Sequence, residues 1–562
     1  MVADTLPTAG RVVSLRRSPG EIVMRLAAMP LIAFCLLAGC QPTPPPVAKT
    51  GTATATAPAE VFPYAELDIS DLQALMTRGE LDSTTLTRAY LQRIAAIDRD
   101  GPRLNSIIAL NPDAPKEAAA LDAERRAGKL RGPLHGIPLL LKDNIDATPM
   151  ANTAGSLALA GFHPRQDAFL VRRLREAGAV ILGKTNLSEW ANFRSSRSSS
   201  GWSAVGGQTR NPYALDRNPC GSSAGSAVAT SANLAAAAIG TETDGSVVCP
   251  AAVNGLVGLK PTVGLISRDG IIPISFSQDT AGPMTRSVAD AALLLGAMAG
   301  RDPADAATAA RPGLAVYDYT ARLNPKALSG ARIGVLHSKL DENPAIAAAL
   351  RSAIGVLRQA GATVVEARIP TDGQWEADEQ TVLLYEFKAG LARYLSTRDA
   401  PVRSLDEVIA FNRAHADREL SLFGQELFEQ AASKGDLGNP EYIAARTRAR
   451  RLAGPLGIDA ALKEQQLDAL IAPTTGVAWP TDPVHGDDFP GGNYGAAAVA
   501  GYPSLSVPMG SSDGLPLGLL FVGPAWSEPR LLELGYAYEQ LTGARTPPRF
   551  LPSAKRPPAA KP

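Results

Sequence analysis

Apolar residues along much of this chain recur every three or four positions, the spacing that places them on one face of an α-helix. Between residues 69 and 99 the pattern continues for several turns and predicts two amphipathic helices. Further helices are predicted at 168–177, 227–238, 288–298 and over most of 340–465. The small apolar residues of 227–238 indicate a helix that is buried.

Short apolar runs bounded by turn-forming residues lie between the predicted helices. They occur at 137–141, 179–182, 469–472 and 505–507, and each has the length of a buried strand. Helices and strands alternate along the chain, and no fixed repeat is evident. We therefore expect an α/β fold in which helices pack on a sheet.

The composition disfavours several classes of protein. Of 562 residues, 45% are hydrophobic and 20% are charged, so most of the chain can bury a core. Lys plus Arg and Asp plus Glu number 55 each, so the net positive charge of a nucleic-acid-binding protein is missing. The five histidines lie far apart and the four cysteines form no CxxC pair, so we expect no metal site and no cofactor.

The first forty residues have the pattern of a bacterial export signal. Arg16, Arg17 and Arg25 precede an apolar run at 26–37, which is too short to span a membrane comfortably. The run ends in Leu-Ala-Gly-Cys at Cys40, which resembles the lipobox of bacterial lipoproteins. We predict a signal peptide at 1–39 and a lipid on Cys40, with an ordinary signal peptide and a chance cysteine as the alternative.

The rest of the chain divides into three parts. Residues 40–62 are predicted to be the lipidated cysteine and a disordered tether rich in Pro, Thr and Ala. One folded domain is predicted at 63–552 and a disordered tail at 553–562. This organisation predicts an exported protein, anchored by lipid to a membrane of the cell envelope and facing the periplasm. Translation could start at Met1 or Met24, and the oligomeric state stays open.

Two cysteines remain in the folded part after processing, Cys220 and Cys249. An oxidising compartment permits a disulfide, but two cysteines alone do not establish one. We expect free, buried thiols and leave the pairing open.

Two familiar motifs do not fit their surroundings. Residues 178–185 match the phosphate-binding P-loop pattern, but a helix precedes them and a strand lies between the two glycines, where a P-loop has its loop. Residues 221–225 match the G-x-S-x-G elbow with Ser223 as nucleophile, but the residues before them read as a loop instead of a strand. We reject both interpretations.

Three other segments carry the chemistry together. They are Gly-Ile-Pro-Leu-Leu-Leu-Lys-Asp-Asn at 136–144, Gly-Ser-Ser-Ala-Gly-Ser at 221–226 and Gly-Thr-Glu-Thr-Asp-Gly-Ser at 240–246. Each alone could be a strand end or a tight turn. In this order, and with Ser246 lying 24 positions after Ser222, they resemble the amidase signature family. Further matching segments lie at 249–252, 255–262, 282–287 and 472–474, and the resemblance covers roughly residues 65 to 543.

The resemblance implies a large central mixed β-sheet covered by helices on both faces, with 63–552 as the amidase domain. It implies Ser246 as the nucleophile, Ser222 as a bridging serine after a cis peptide bond from Gly221, and Lys142 as the general base. Elementary chemistry supports these roles, because a serine needs a base, and a lysine can act as one only when neutral. The leucines before Lys142 provide an environment that disfavours its charge.

The resemblance also implies an oxyanion hole, formed by the backbone N–H groups of Thr243, Asp244, Gly245 and Ser246. Many members of the family have Gly where this chain has Asp244. A backbone N–H donates equally well from either residue. Asp in place of Gly therefore affects the shape of the oxyanion hole and not its donors.

Within the family, residues 240–268 most resemble the peptide amidases, which release the C-terminal amide nitrogen of peptides as ammonia. Residues 202–210 and 271–280 strengthen this likeness. We expect a small-molecule or peptide amide as substrate, with the loops at 193–207 and 490–495 lining its channel. The alternatives are a general or aryl amidase and a non-catalytic, lipid-anchored binding protein. The export signal disfavours the amidotransferase component that serves glutaminyl-tRNA synthesis.

Overall fold

The computed structural model describes residues 62–310 and 318–554. The predictions for the signal peptide, Cys40, the tether up to residue 61 and the tail from residue 555 lie outside these residues. Within the described part, no helix has both the length and the apolar composition to cross a membrane.

Eleven strands of the described chain form one mixed sheet, and two further strands form a short hairpin. The strands are β1 (Ile107–Leu110), β2 (Pro138–Lys142), β3 (Val180–Thr185), β4 (Trp202–Ser203), β5 (Gly207–Gln208), β6 (Ala237–Glu242), β7 (Val257–Lys260), β8 (Thr280–Thr285), β9 (Arg332–Val335), β10 (Thr363–Glu366), β11 (Ala469–Pro473), β12 (Ser504–Ser512) and β13 (Leu515–Val522). The order across the large sheet is β1-β3-β2-β6-β8-β7-β12-β13-β11-β9-β10, and β4 pairs with β5.

Helices occupy most of the connections between these strands. The α-helices are α1 (Ile69–Thr77), α2 (Ser83–Arg93), α3 (Ala114–Arg126), α4 (Phe169–Glu176), α5 (Ala224–Ser231), α6 (Val248–Val253), α7 (Val288–Met298), α8 (Pro344–Gln359), α9 (Glu376–Arg398), α10 (Leu405–Ala414), α11 (Ala416–Glu419), α12 (Glu426–Ala432), α13 (Pro440–Ala453), α14 (Asp459–Gln465), α15 (Gly495–Ala500) and α16 (Glu528–Thr542).

The central strands are buried on both faces. Every residue of β2, β3 and β6 is buried, and successive side chains of a strand point to opposite faces of its sheet. The sheet is therefore covered on both sides, as expected for parallel neighbours such as β2 and β3. This arrangement confirms the predicted α/β class and the mixed central sheet.

One sequence-based prediction is wrong in a way that matters for the site. The helix predicted at 227–238 ends as α5 at Ser231, and its last residues begin β6. Ala238 sits between Leu140 of β2 and Met284 of β8 in the middle of the sheet. Alanine favours helices by local propensity, but here the packing of a crowded central strand decides.

The sheet brings the ends of β2 and β6 together. These strands are parallel neighbours, with Leu141 of β2 opposite Ile239 of β6. Their carboxyl ends therefore meet at the same edge of the sheet, with Lys142 ending β2 and Thr241 near the end of β6. In open α/β sheets, this is the edge at which ligands usually bind.

Candidate active site

The Lys142 amine lies at the centre of a small polar cluster inside the protein. The side chain is 0% exposed, and its Nζ lies 2.7 Å from the Oγ of Ser222. The same Nζ lies 3.1 Å from the carbonyl oxygen and 2.9 Å from the Oγ1 of Thr241. The structure thus brings two of the three predicted catalytic side chains into direct contact.

This set of neighbours suits a neutral amine. An uncharged lysine has two N–H donors and one lone pair. The two oxygens of Thr241 can accept both N–H bonds, and the Ser222 hydroxyl can then donate to the lone pair. Within the described residues, Lys142 forms no ion pair with a carboxylate. The geometry therefore allows Lys142 to accept a proton from Ser222.

Burial determines the charge of Lys142. Loss of hydration lowers the pKa of its amine to about 7, although the carboxylates of Asp279 and Glu242 act in the opposite direction. A pKa near 7 leaves a large neutral fraction at physiological pH, as a general base requires.

Ser222 follows a tight backbone turn before α5. The peptide bond between Gly221 and Ser222 is cis, as the family resemblance implied. A side chain at position 221 would place its Cβ only 2.1 Å from the Oγ of Ser188, and glycine avoids this close contact. The Ser222 carbonyl accepts a hydrogen bond from the Ser188 N–H at 3.1 Å. These contacts fix the turn that directs the Ser222 hydroxyl to Lys142.

Ser246 lies on a second turn, between β6 and α6. Gly245 has a φ of +76°, and a Cβ there would lie 2.1 Å from the Tyr494 ring, so glycine is required twice over. The Ser246 carbonyl accepts a hydrogen bond from the Ser223 N–H at 3.1 Å, which joins the two serine turns. Ser246 is 8% exposed, and its hydroxyl has no hydrogen-bond partner in the described part of the chain. It is therefore the serine that a substrate can reach.

Sequence reasoning missed Glu242, which holds the turn of Ser246. Its buried carboxylate accepts hydrogen bonds from the N–H groups of Gly245 at 3.0 Å, Val247 at 2.7 Å and Val248 at 3.0 Å. Burial raises the pKa of Glu242, and the positive charge of Lys260 and these N–H groups oppose that shift. The available signal in the sequence is a charged residue shortly after the apolar run that ends at Ile239.

The four predicted oxyanion-hole donors have different positions in the structure. The Gly245 N–H is already bonded to Glu242. The N–H groups of Thr243, Asp244 and Ser246 have no partner in the part of the chain that the structure describes. Three of the four predicted donors therefore remain available to an anionic oxygen.

The carboxyl of Asp244 stands beside this turn. Burial, and secondly the charge of Glu379, raise its pKa well above the usual range. A neutral carboxyl would not repel negative charge on a substrate oxygen. The departure from glycine at this position is therefore compatible with an oxyanion hole.

The structure agrees with the rejection of the two other motifs. The Ser223 hydroxyl is fully buried, donates to the Thr241 carbonyl at 3.0 Å and accepts from the Thr241 N–H at 3.2 Å. Residues 180–185 form β3, and Lys184 makes a buried ion pair with Asp143 at 2.9 Å. Neither segment has the loop or the exposed nucleophile that its motif requires.

The expectation of free thiols is wrong. Cys220 and Cys249 form a disulfide, with 6.2 Å between their Cα atoms. Cys249 lies 29 positions after Cys220 in the sequence, so no local spacing indicates the pair. The fold creates the proximity, because it packs the turn before Ser222 against the start of α6.

Both loops expected to line the substrate channel lie close to the serine turns. Tyr494 of the 490–495 segment packs on Gly245. Ser200 of the 193–207 segment lies beside Gly221, and its N–H donates to Asp487 at 2.9 Å. The 193–207 loop is also anchored by Arg194, whose buried guanidinium forms ion pairs with Glu189 and Glu419.

The chain is similar to known amidases over most of its length. The family model described as Amidase matches residues 85–532. The structure of native peptide amidase from Stenotrophomonas maltophilia is 69% identical, with a TM-score of 0.85, and the match covers 87% of this chain and 99% of that one. A probable amidase of Arabidopsis thaliana is 40% identical over 90% of this chain and 96% of that protein.

One of the more distant relatives is part of an amidotransferase. This component of the glutamyl-tRNA(Gln) amidotransferase of Salinispora arenicola is 37% identical, over 86% of this chain and 98% of that protein. All these matches extend over nearly the whole described part of the chain. The chain therefore belongs to the amidase family, has the amidase signature fold and is a hydrolase that acts on amides.

Proposed function

We propose that this enzyme hydrolyses the C-terminal amides of peptides to acids and ammonia by a Ser-Ser-Lys mechanism. The observation that carries the mechanism is the 2.7 Å contact between Lys142 Nζ and Ser222 Oγ in a buried site that disfavours the charged amine. Ser246 is the nucleophile, Ser222 passes its proton on, and Lys142 receives it.

The proposed reaction has two halves. Ser246 Oγ attacks the amide carbonyl as its proton moves through Ser222 to Lys142, and the oxygen of the tetrahedral intermediate is stabilised by the free N–H groups of the turn. The C–N bond then breaks, and the departing nitrogen takes a proton back through Ser222 and leaves as ammonia. Water, deprotonated by the same route, attacks the acyl-enzyme, releases the acid and restores Ser246.

The likeness to peptide amidase supports the substrate class. The 69% identity extends over the full length of that structure and therefore includes the loops that adjoin the serines. A peptide C-terminal amide has only –NH₂ beyond the reacting carbonyl. The leaving-group side then needs little room, while the acyl side needs an open channel.

We predict that a dipeptide amide is hydrolysed with a kcat/KM at least about 100-fold above that of acetamide, because binding of the remote peptide positions the carbonyl against Ser246. Ammonia release over a panel of peptide, aryl and simple amides measures this. An unamidated peptide of the same sequence should stay intact, and the Ser246→Ala variant gives the background. Equal values for acetamide and peptide amides would replace this assignment by a general amidase.

We also propose that the mature enzyme is lipid-anchored at Cys40 in the cell envelope, facing the periplasm. The disulfide between Cys220 and Cys249 supports an oxidising compartment, because such bonds are rare in the cytosol. Mass spectrometry of the native N-terminus is expected to show an acylated Cys40. Cys40→Ser should abolish this modification, while Cys35→Ser, inside the predicted signal peptide, should preserve it. An unmodified Cys40 in the wild-type protein would contradict the proposal.

A further inference from the structure

The disulfide connects the two turns that carry the serines. Cys220 is followed directly by Gly221 and Ser222, and Cys249 lies three residues after Ser246. Both cysteines are buried, with 3% and 1% of their surface exposed. The bond therefore lies beside the site and does not serve as a surface staple.

Each cysteine is connected to its serine by a short backbone segment that hydrogen bonds hold in place. The Cys249 N–H donates to the Gly245 carbonyl at 2.8 Å, in the turn that presents Ser246. On the other side, the Cys220 N–H donates to Oδ1 of Asn218 at 2.8 Å, which fixes the backbone just before the cis bond. A displacement of either sulfur would therefore move the serine on the same turn.

The other direct links between these two turns are hydrogen bonds. The Ser223 N–H donates to the Ser246 carbonyl at 3.1 Å. The Asn254 side chain, at the end of α6, donates to the Pro219 carbonyl at 2.9 Å and to the Pro250 carbonyl at 2.7 Å. The disulfide adds a covalent link to these polar contacts.

We infer that the Cys220–Cys249 disulfide is a positioning device, which holds the Ser222 turn against the Ser246 turn so that the proton relay stays aligned. The inference rests on the proposed mechanism, in which Ser246 must pass its proton to Ser222. Proton transfer needs hydrogen-bond distance, and a shift of about 1 Å at a reacting group can cost ~100-fold in rate. The cysteines touch no reacting atom and act through the two turns.

The test compares Cys220→Ala, Cys249→Ala and the double variant with wild type on a peptide amide. We expect kcat to fall about 10- to 100-fold in all three, with KM changed less than about threefold, because alignment is lost while the channel remains. Looser turns would also admit water to Lys142 and restore its charge. The acid limb of the pH profile should therefore move to higher pH.

Val253→Ala is the matched control. Val253 is fully buried in the same apolar cluster as the two cysteines, so its truncation removes packing but leaves the cross-link intact. It should lower Tm while leaving kcat and the acid limb unchanged. If the folded cysteine variants keep the wild-type kcat and pH profile, the disulfide contributes only stability and the inference is overturned.

A second measurement covers variants that fail to fold. Wild-type enzyme is partly reduced with dithiothreitol, which gives two electrons and two protons to the disulfide and becomes a cyclic disulfide itself. The loss of kcat should follow the fraction of Cys220 and Cys249 that alkylation and mass spectrometry find reduced. Full activity in a fully reduced, folded protein would refute the inference. Full activity of Ser246→Ala would instead refute the proposed mechanism, whatever the cysteine variants do.

Discussion

Replacing Ser246 by alanine is expected to lower kcat for amide hydrolysis by about 10⁵- to 10⁶-fold, because the acyl-enzyme of the proposed mechanism can no longer form. The Ser246 hydroxyl has no hydrogen-bond partner in the described residues and is 8% exposed. Its removal therefore leaves no buried group unsatisfied, and Tm should stay within a few degrees of wild type. Ammonia release and thermal unfolding measure the two expectations.

The neighbouring Ser223 provides the control for this substitution. Ser223→Ala removes a hydroxyl that donates to one backbone group of Thr241 and accepts from another. We expect a loss of stability of about 1–3 kcal/mol, the usual cost of leaving buried polar groups unpaired, and a far smaller loss of kcat. An inactive Ser223→Ala beside an active Ser246→Ala would instead make Ser223 the nucleophile.

The sequence predicts which side chains meet at the site better than it predicts the contacts that hold them in place. Lys142 at the end of an apolar strand suggests little by itself, and its predicted role rests on the order and spacing of three segments that resemble a family. The structure then places its amine 2.7 Å from Ser222. Catalytic roles of this kind can be predicted from sequence because each depends on one residue type in one short motif.

The features that sequence reasoning missed depend on groups that meet only in the folded chain. Glu242 holds the Ser246 turn through three backbone N–H groups, and a backbone partner leaves no mark in the sequence. The disulfide joins cysteines whose spacing has no pattern. The first alanines of β6 look helical by propensity, and only the strands on either side make them a strand.

Replacing Lys142 by methionine is expected to lower kcat by about 10³- to 10⁵-fold, because in the proposed mechanism Ser222 then has no base to receive its proton. The pH profile of the wild-type enzyme should also show that activity depends on the amine of Lys142. Only the neutral amine accepts a proton, so activity should fall about tenfold per pH unit below the pKa of about 7 and level off above it. The methionine variant should lose this acid limb.

The same substitution should make the protein more stable at pH 7. Lys142 has a lower pKa in the folded protein than in the unfolded chain, so the unfolded state binds its proton more readily between about pH 7 and pH 10.5. In that range the buried lysine opposes folding. Its unfavourable contribution to the free energy of folding decreases as pH rises. Methionine has a similar volume and no charge to dehydrate. We therefore expect a higher Tm for Lys142→Met near neutral pH and a smaller difference at alkaline pH.

Lys184→Met is the matched control, because Lys184 is also fully buried but forms an ion pair with Asp143 at 2.9 Å. Its removal leaves a buried carboxylate without its counterion, so stability should fall by about 3–5 kcal/mol. The two variants should thus move Tm in opposite directions. Tm changes of opposite sign would mean that the burial of Lys142 destabilises the fold. The same burial provides a base that is largely neutral at physiological pH. A Lys142→Met variant that is less stable than wild type and keeps its acid limb would contradict this account.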